Sequence, residues 1–264
     1  MKKLISALLA ACLLLAAFAP ALCEGVTVGK RDLSLNRDLN RDVTNILVLL
    51  QDGEVTDTMM IASIDGVSGR SVMTRVDCAL PIDVRDVGTR AAGEIYALGA
   101  PGSEGLLAMR TINELLELNV STYIALDMAM LPELVAAVGA LNMQLDAQEA
   151  EALGGWEGIN ELTGEQALSY VRLRLDGDSP ARSRGYDALM QLLYQGLHSG
   201  DPMSMMSLGV SLLGSMDTNL NPLSAVTLVT AVQGGDDRRE LALPEAEGDD
   251  AQAMREAFYR EVYE

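Results

Sequence analysis

Hydrophobic residues run unbroken from Ile46 to Leu50, in the segment Asn45-Ile46-Leu47-Val48-Leu49-Leu50 that stops at Gln51-Asp52-Gly53. A run this short, with β-branched members, predicts a strand buried on both faces, as in the middle of an α/β sheet. Two more runs, Met59 to Ile64 and Ser71 to Val76, flank the turn residues Asp65-Gly66 and Ser68-Gly69 and predict the next two strands. From Gly102 the period changes. Leu106, Leu107, Met109, Arg110, Ile112, Leu115 and Leu116 form a helical stripe, Val120 to Asp127 a strand, and Met130 to Val138 a helix stopped by Gly139. Leu141 to Leu145 reads as a short strand, and Thr163 with Gln166 fits a capping box that opens a short helix. In Tyr170-Val171-Arg172-Leu173-Arg174-Leu175 the alternation predicts a strand with Tyr170, Arg172 and Arg174 on one face. Asp176-Gly177-Asp178 then turns the chain into a helix capped by Ser179, starting at Pro180 and running to about Ser199, with Tyr186, Leu189, Leu193 and Leu197 on its buried stripe. Pro202 to Met216 is Met-rich and too short to cross a bilayer; it reads as a core helix or a lipid-contacting surface. Asn219 to Gln233 and Ala251 to Glu264 predict two further helices. Strands alternating with helices predict an α/β fold, an α/β/α sandwich with a central mixed β-sheet.

The ends read differently. Lys2 and Lys3 precede an apolar run from Leu4 to Ala19 that closes on Pro20-Ala21-Leu22-Cys23, so residues 1–23 form a signal peptide or an uncleaved signal anchor. Either form places the protein outside the cytoplasm, secreted or anchored to the membrane. Residues 24–44 are polar and predict a tether, residues 45–235 one α/β/α domain, and 236–264 a C-terminal helical extension. About 240 residues and 49% hydrophobic content suffice for a large core. Cys12 and Cys23 belong to the leader, which leaves Cys78 without a partner and the fold without an internal disulfide.

Charge narrows the chemistry. At a formal −19 the chain has no electrostatic basis for nucleic-acid binding. The single histidine, His198, excludes a Ser–His–Asp or Cys–His relay and a histidine metal site. Against that acidic background Arg172, Arg174, Arg182 and Arg184 cluster within thirteen positions. Guanidinium forks beside a helix start suit a phosphate or pyrophosphate; the same residues also suit ordinary ion pairs with Asp176, Asp178 and Glu165. Asp52 and Asp57 stand at adjoining ends of neighbouring predicted strands. Two such carboxylates either share a hard cation, magnesium or manganese, or belong to a turn and a solvated strand end.

The order of these features resembles the LytR-CpsA-Psr family over roughly Asn45 to Leu197. The segments that carry the resemblance are NILVLLQD, DTMMIASID, EIYALGAPG with the helix GLLAMRTINELLEL, VSTYIALDM, LVAAVGAL, and LTGEQALSYVRLRLDGD with SRGYDALMQLL. GEQALSYVRLR is the most specific of them and DTMM the second. Members of that family are extracytoplasmic or membrane-anchored proteins of mainly Gram-positive bacteria that transfer glycopolymers from a polyprenyl-pyrophosphate carrier to peptidoglycan. The resemblance implies an α/β/α sandwich with an oily cleft, a polyprenyl-pyrophosphate-linked glycan and a peptidoglycan acceptor as partners, and work at the outer face of the membrane. It assigns magnesium to Asp52 and Asp57, the pyrophosphate to Arg172 and Arg174, and supporting roles to Asp178 and Arg184. Asp52 or Asp178 is the candidate base.

The chain also departs from that pattern. An arginine expected two residues before the DT pair is Val55, the arginine of a proline-arginine-aspartate turn is lost where the chain reads Val76-Asp77-Cys78, and a glutamine expected after Arg184 is Gly185. Two functions therefore remain in view: a magnesium-dependent glycopolymer phosphotransferase, or a catalytically degenerate domain that binds polyprenyl pyrophosphate or envelope glycan without turnover.

Overall fold

The computed structural model describes residues 25–175, 183–198, 216–221 and 237–264. Its centre is a six-stranded mixed sheet in the order β10-β3-β2-β1-β6-β9. β1 (Val43–Asp52) and β2 (Val55–Asp65) form an antiparallel pair at its middle, with β3 (Ser71–Val76) antiparallel to β2 and β6 (Thr122–Asp127) parallel to β1. Period-two alternation divides the apolar runs between the two faces. Leu47, Leu49, Met59, Ile61, Val72 and Val76 point into one core, and Ile46, Val48, Leu50, Met60, Ala62 and Met73 into the other. This is the two-faced burial that the unbroken runs predict.

The first face is covered by α1 (Glu104–Leu116), α6 (Ala251–Tyr263) and a small hairpin of β4 (Pro81–Val84) with β5 (Gly88–Ala91). The second carries α2 (Leu131–Val138), α3 (Ala147–Leu153), α4 (Gly164–Arg172), α5 (Arg184–His198) and a hairpin of β7 (Leu141–Leu145) with β8 (Gly158–Leu162). The architecture is the predicted α/β/α sandwich. At the far edge β9 (Asp217–Thr218) pairs with β6, fastened by the Tyr96 and Tyr123 hydroxyls, both of which donate to the Asp217 carboxylate.

Three expectations need correction. Residues 24–44 are not a tether where they are described: Val28 and Leu33 are buried, Val26 bridges to Gly99, and the buried Asn113 amide donates to the Leu33 carbonyl at 2.8 Å. The apolar residues here are sparse, so the stretch looks like a linker, but the few present fit the first core. Residues 236–264 are not an extension either. β10 (Arg238–Leu243) runs parallel to β3 as an edge of the central sheet. Phe258 of α6 is completely buried, and the Asn45 amide donates to the Tyr263 hydroxyl at 2.8 Å. Burying an aromatic side chain of that size stabilises a fold by about 2–3 kcal/mol.

Third, Tyr170 to Arg172 close α4 rather than open a strand. The Thr163–Gln166 capping box starts that helix as predicted, and Ala167, Tyr170 and Val171 form the i, i+3, i+4 stripe that is buried. The helix stripe overrides the alternation, and the chain turns extended only at Leu173. The described part of α5 begins at Arg184, where the Tyr186 N–H donates to the Ser183 hydroxyl at 3.1 Å, so Ser183 acts as its cap. Ser179, Pro180 and the turn around Asp178 lie outside the described residues, as do the leader, the Met-rich segment up to Ser215 and most of the helix expected over 219–233.

Candidate active site at the end of the sheet

The site forms where β1 ends and β2 begins. Leu50 pairs with Thr58 but Gln51 pairs with Thr56, so Asp57 is the extra residue of a β-bulge. A bulge re-aims a side chain that strict alternation would send to the opposite face. Asp57 and Thr58 accordingly both lie against the first turn of α5. The Thr58 hydroxyl donates to Asp57 Oδ2 at 3.0 Å and shares a 3.0 Å hydrogen bond with the Ser183 hydroxyl. A line of hydroxyls thus joins the start of α5 to the Asp57 carboxylate, and the positive end of the helix dipole adds to it.

Arg172 and Arg174 reach this place by a route different from the predicted strand. Arg172, the last residue of α4, donates to Asp52 Oδ1 at 2.7 Å, and Arg174, two residues on, donates to Asp57 Oδ1. Arg174 also donates to the carbonyls of Val171 and Leu173, both at 2.9 Å, which ties its fork to the turn that carries it. Four of the six sequence-assigned residues therefore converge as alternating cations and anions. Asp57 is mostly buried and the two guanidiniums are largely exposed, so they can turn to an incoming anion. Asp178 is outside the described residues.

Arg184 is placed elsewhere. Its side chain is 3% exposed and donates to the fully buried Glu149 at 2.8 Å and to the Leu173 carbonyl at 3.1 Å. Glu149 also accepts from the Asp146 N–H at 3.1 Å, within the capping box of α3. Arg184 is thus a positioning residue that holds the Arg172–Arg174 turn, α3 and α5 together. Sequence reasoning missed Glu149: Asp146-x-x-Glu149 signals a helix start, but nothing local announces a partner 35 residues away.

Gly185 explains one departure from the family pattern. A Cβ there would lie 2.1 Å from Thr58 Oγ1 and 2.7 Å from Asp57 Oδ2, so α5 approaches the bulge too closely for any side chain. Gly185→Ala should cost about 1–3 kcal/mol as the helix is pushed off the bulge, read as a lower urea midpoint. An unchanged midpoint would show that the contact has slack.

Two cavities open along the sheet, and only the smaller is lined by a residue of this charge cluster, Asp57. One, of about 630 Å³, lies on the second face of the sheet, where Met73, Met143, Tyr170, Tyr186, Met190 and Leu193 give it an apolar wall and Arg238, Arg239 and Glu240 of β10 a polar one. The other, of about 440 Å³, is bordered by Asp57, Thr58, Arg75, Asp77, Cys78, Ser183 and the loop after β10. Burial, with Asp57 and Asp77 beside it, pushes the Cys78 thiol up to about 12, which excludes it as a nucleophile at neutral pH. Among the described residues no group of three or more His, Cys, Asp or Glu side chains is placed to hold a metal, and no helix is long and apolar enough to cross a membrane.

Several relatives share this framework. The polyisoprenyl-teichoic acid–peptidoglycan teichoic acid transferase TagU of Oceanobacillus iheyensis is 24% identical over 222 residues, covering 79% of this chain and 68% of its own. The Enterococcus faecalis protein of the same name is 28% identical over 159 residues, and the match spans 56% of this chain and half of that one. Among solved structures, the LytR-CPS2A-psr family protein YwtF (TagT) with bound octaprenyl pyrophosphate lipid superposes with a TM-score of 0.67 at 16% identity, over 90% of this chain and 99% of its own. With the family model described as LytR_cpsA_psr matching residues 24–253, the chain belongs to the LytR-CpsA-Psr family.

Proposed function

We propose that the protein is an extracytoplasmic glycopolymer phosphotransferase that moves a polyprenyl-pyrophosphate-linked glycan to a hydroxyl of peptidoglycan. The observation that carries this reading is the alternating set Arg172–Asp52 and Arg174–Asp57, together with an apolar cleft lined by α5 and the second face of the same sheet. Guanidiniums bind phosphoryl oxygens in a two-pronged way, and an oily groove suits a prenyl tail. The lipid in the TagT structure and the activity in the TagU names point the same way.

In the reaction, the acceptor hydroxyl attacks the phosphorus on the glycan side. The P–O bond to the prenyl phosphate breaks, its electron pair leaves with that phosphate, and the hydroxyl proton passes to a carboxylate, Asp52 or Asp178. Attack at the anomeric carbon is the alternative course. Arg172 and Arg174 neutralise charge that grows on the leaving phosphate. The donor set of Asp52 and Asp57 fits magnesium, which is held by one or two carboxylates together with substrate phosphates. Bound there, a divalent cation supplies charge neutralisation. Asp52 and Asp57, if turned to such a cation, would release Arg172 and Arg174 for the substrate, which predicts that magnesium tightens pyrophosphate binding. Titration calorimetry of the full chain with inorganic pyrophosphate should give a higher affinity with magnesium than with EDTA; equal affinities would remove the metal from this reading.

The decisive assay incubates the full chain with a polyprenyl-pyrophosphate saccharide, magnesium and peptidoglycan. Transfer or cleavage that is lost in Arg172→Ala is expected. Lipid-pyrophosphate binding without turnover would favour the second reading, a degenerate binding domain, for which Val55 speaks: it stands exposed where the family carries an arginine. Absence of both binding and turnover, with wild type and Arg172→Ala alike, would overturn both.

A further inference from the structure

β3 carries a cation, Arg75, that lies outside the motif segments of the family resemblance. Arg75 pairs with Met60 on β2 and Ala242 on β10, and shares the face of Met73, which is buried in the second core. Its guanidinium carbon lies 5.7 Å from the centre of the Tyr186 ring. An arginine held flat against an aromatic face loses little freedom when it binds an anion. Among the described residues Arg75 makes no hydrogen bond or ion pair, which is unusual for a part-buried arginine in a chain with twice as many acids as bases. Of the acids nearby, Asp57 is engaged with Arg174, Glu240 with the Tyr186 hydroxyl, Glu245 with Arg260 and Asp77 with the Ala79 N–H, while Glu247 also lines the cavity. Arg75 lines the 440 Å³ cavity that Asp57 and Ser183 also border.

We propose that Arg75 is a binding residue for phosphoryl oxyanions, replacing the cations absent at Val55 and Asp77, so that the substrate's anion is shared between Arg75 in this cavity and the Arg172–Arg174 pair. The proposal rests on the function proposed above and names a further contact for it. The oxyanion has two sources, the pyrophosphate of the carrier lipid or a phosphodiester of the glycan. Tyr186 lines the apolar cleft and supports Arg75 in the polar cavity, so it links a tail site to a headgroup site.

Calorimetric titration of the full chain with inorganic pyrophosphate and, separately, with glycerol 3-phosphate tests this. Arg75→Ala should weaken one probe by roughly tenfold or more, the loss of one charge-assisted contact, and Arg75→Lys, which keeps charge but not the fork, should fall between. A pyrophosphate effect identifies the carrier lipid and a glycerol phosphate effect the glycan. If Arg75→Ala does not fold, Arg75→Lys against Arg75→Gln gives the same comparison. Unchanged affinity for both probes in the Arg75 variants, while Arg172→Ala weakens pyrophosphate, overturns the proposal and leaves the function standing. Unchanged affinity in the Arg75 and Arg172 variants alike overturns the anion site as a whole.

Discussion

Glu149→Ala should lower the unfolding free energy by about 3–5 kcal/mol, the loss usual when one partner of a buried ion pair is removed. Arg184 Nη1 also donates to the Leu173 carbonyl, and both side chains of the pair are essentially sealed from water. The variant would take from a guanidinium in a dry interior the carboxylate it donates to, and water would have to enter or α5 would have to shift. For a domain of this size the melting temperature should fall by roughly 10 °C or more. Scanning calorimetry reads it directly. Replacing both members by apolar residues, Glu149→Leu with Arg184→Met, should recover much of the loss, because the cost lies in burying a charge that has lost its opposite charge. A single variant within 1 kcal/mol of wild type would mean that the pair is solvated or that another carboxylate takes its place. Because Arg184 also holds the turn that carries Arg172 and Arg174, the single variant should lose anion affinity below its melting point as well.

Arg172→Ala together with Arg174→Ala should do the reverse, removing function and sparing the fold. Each guanidinium lost to a phosphate removes about 1.5–3 kcal/mol, or roughly 10- to 100-fold in rate. The pair shares one anion, so the combined effect should differ from the sum. Stability should move less than function: the nearly half-exposed Arg172–Asp52 pair contributes about 1 kcal/mol or less, and the mostly buried Asp57, which loses Arg174 but keeps the Thr58 hydroxyl, adds about 1–3 kcal/mol. Glycan transfer and a denaturant midpoint, measured on the same preparation, check both halves. A double variant that transfers glycan at the wild-type rate would place the pyrophosphate elsewhere.

Much of this was legible in the sequence because burial on two faces leaves a plain record. The runs at Ile46–Leu50 and Met59–Ile64 could hardly be anything but central strands, and Ser71–Val76 is a strand with those very limits. The Thr163 capping box likewise marked α4. Alternation misled at Tyr170–Leu175, where a helix and a strand compete for the same six residues and the packing of Ala167, Tyr170 and Val171 on the second core decides. The neighbourhood of Asp52, Asp57, Arg172 and Arg174 could be drawn from motif order, a one-dimensional property, and the structure pairs Arg172 with Asp52 and Arg174 with Asp57. The bulge that turns Asp57, the Glu149 partner of Arg184, the tight seat of Gly185 and the unbonded guanidinium of Arg75 were not. Each depends on a register shift or a contact between distant segments, and no local pattern encodes those. The folded state of residues 25–44 and 237–264 was missed for a related reason: a few apolar residues suffice when a core already exists to receive them.

β10 is the neighbour of β3, and the segments that meet there come from nearly opposite ends of the chain. Such a pairing has a high contact order, so the strands of the first half must wait, with β3 an open edge, until the last segment arrives. Until then the apolar cleft lacks the wall formed by Arg238, Arg239 and Glu240. A chain interrupted before that point would carry every residue of the Arg–Asp cluster and still have no complete groove, and its bare edge would offer itself to other chains for pairing.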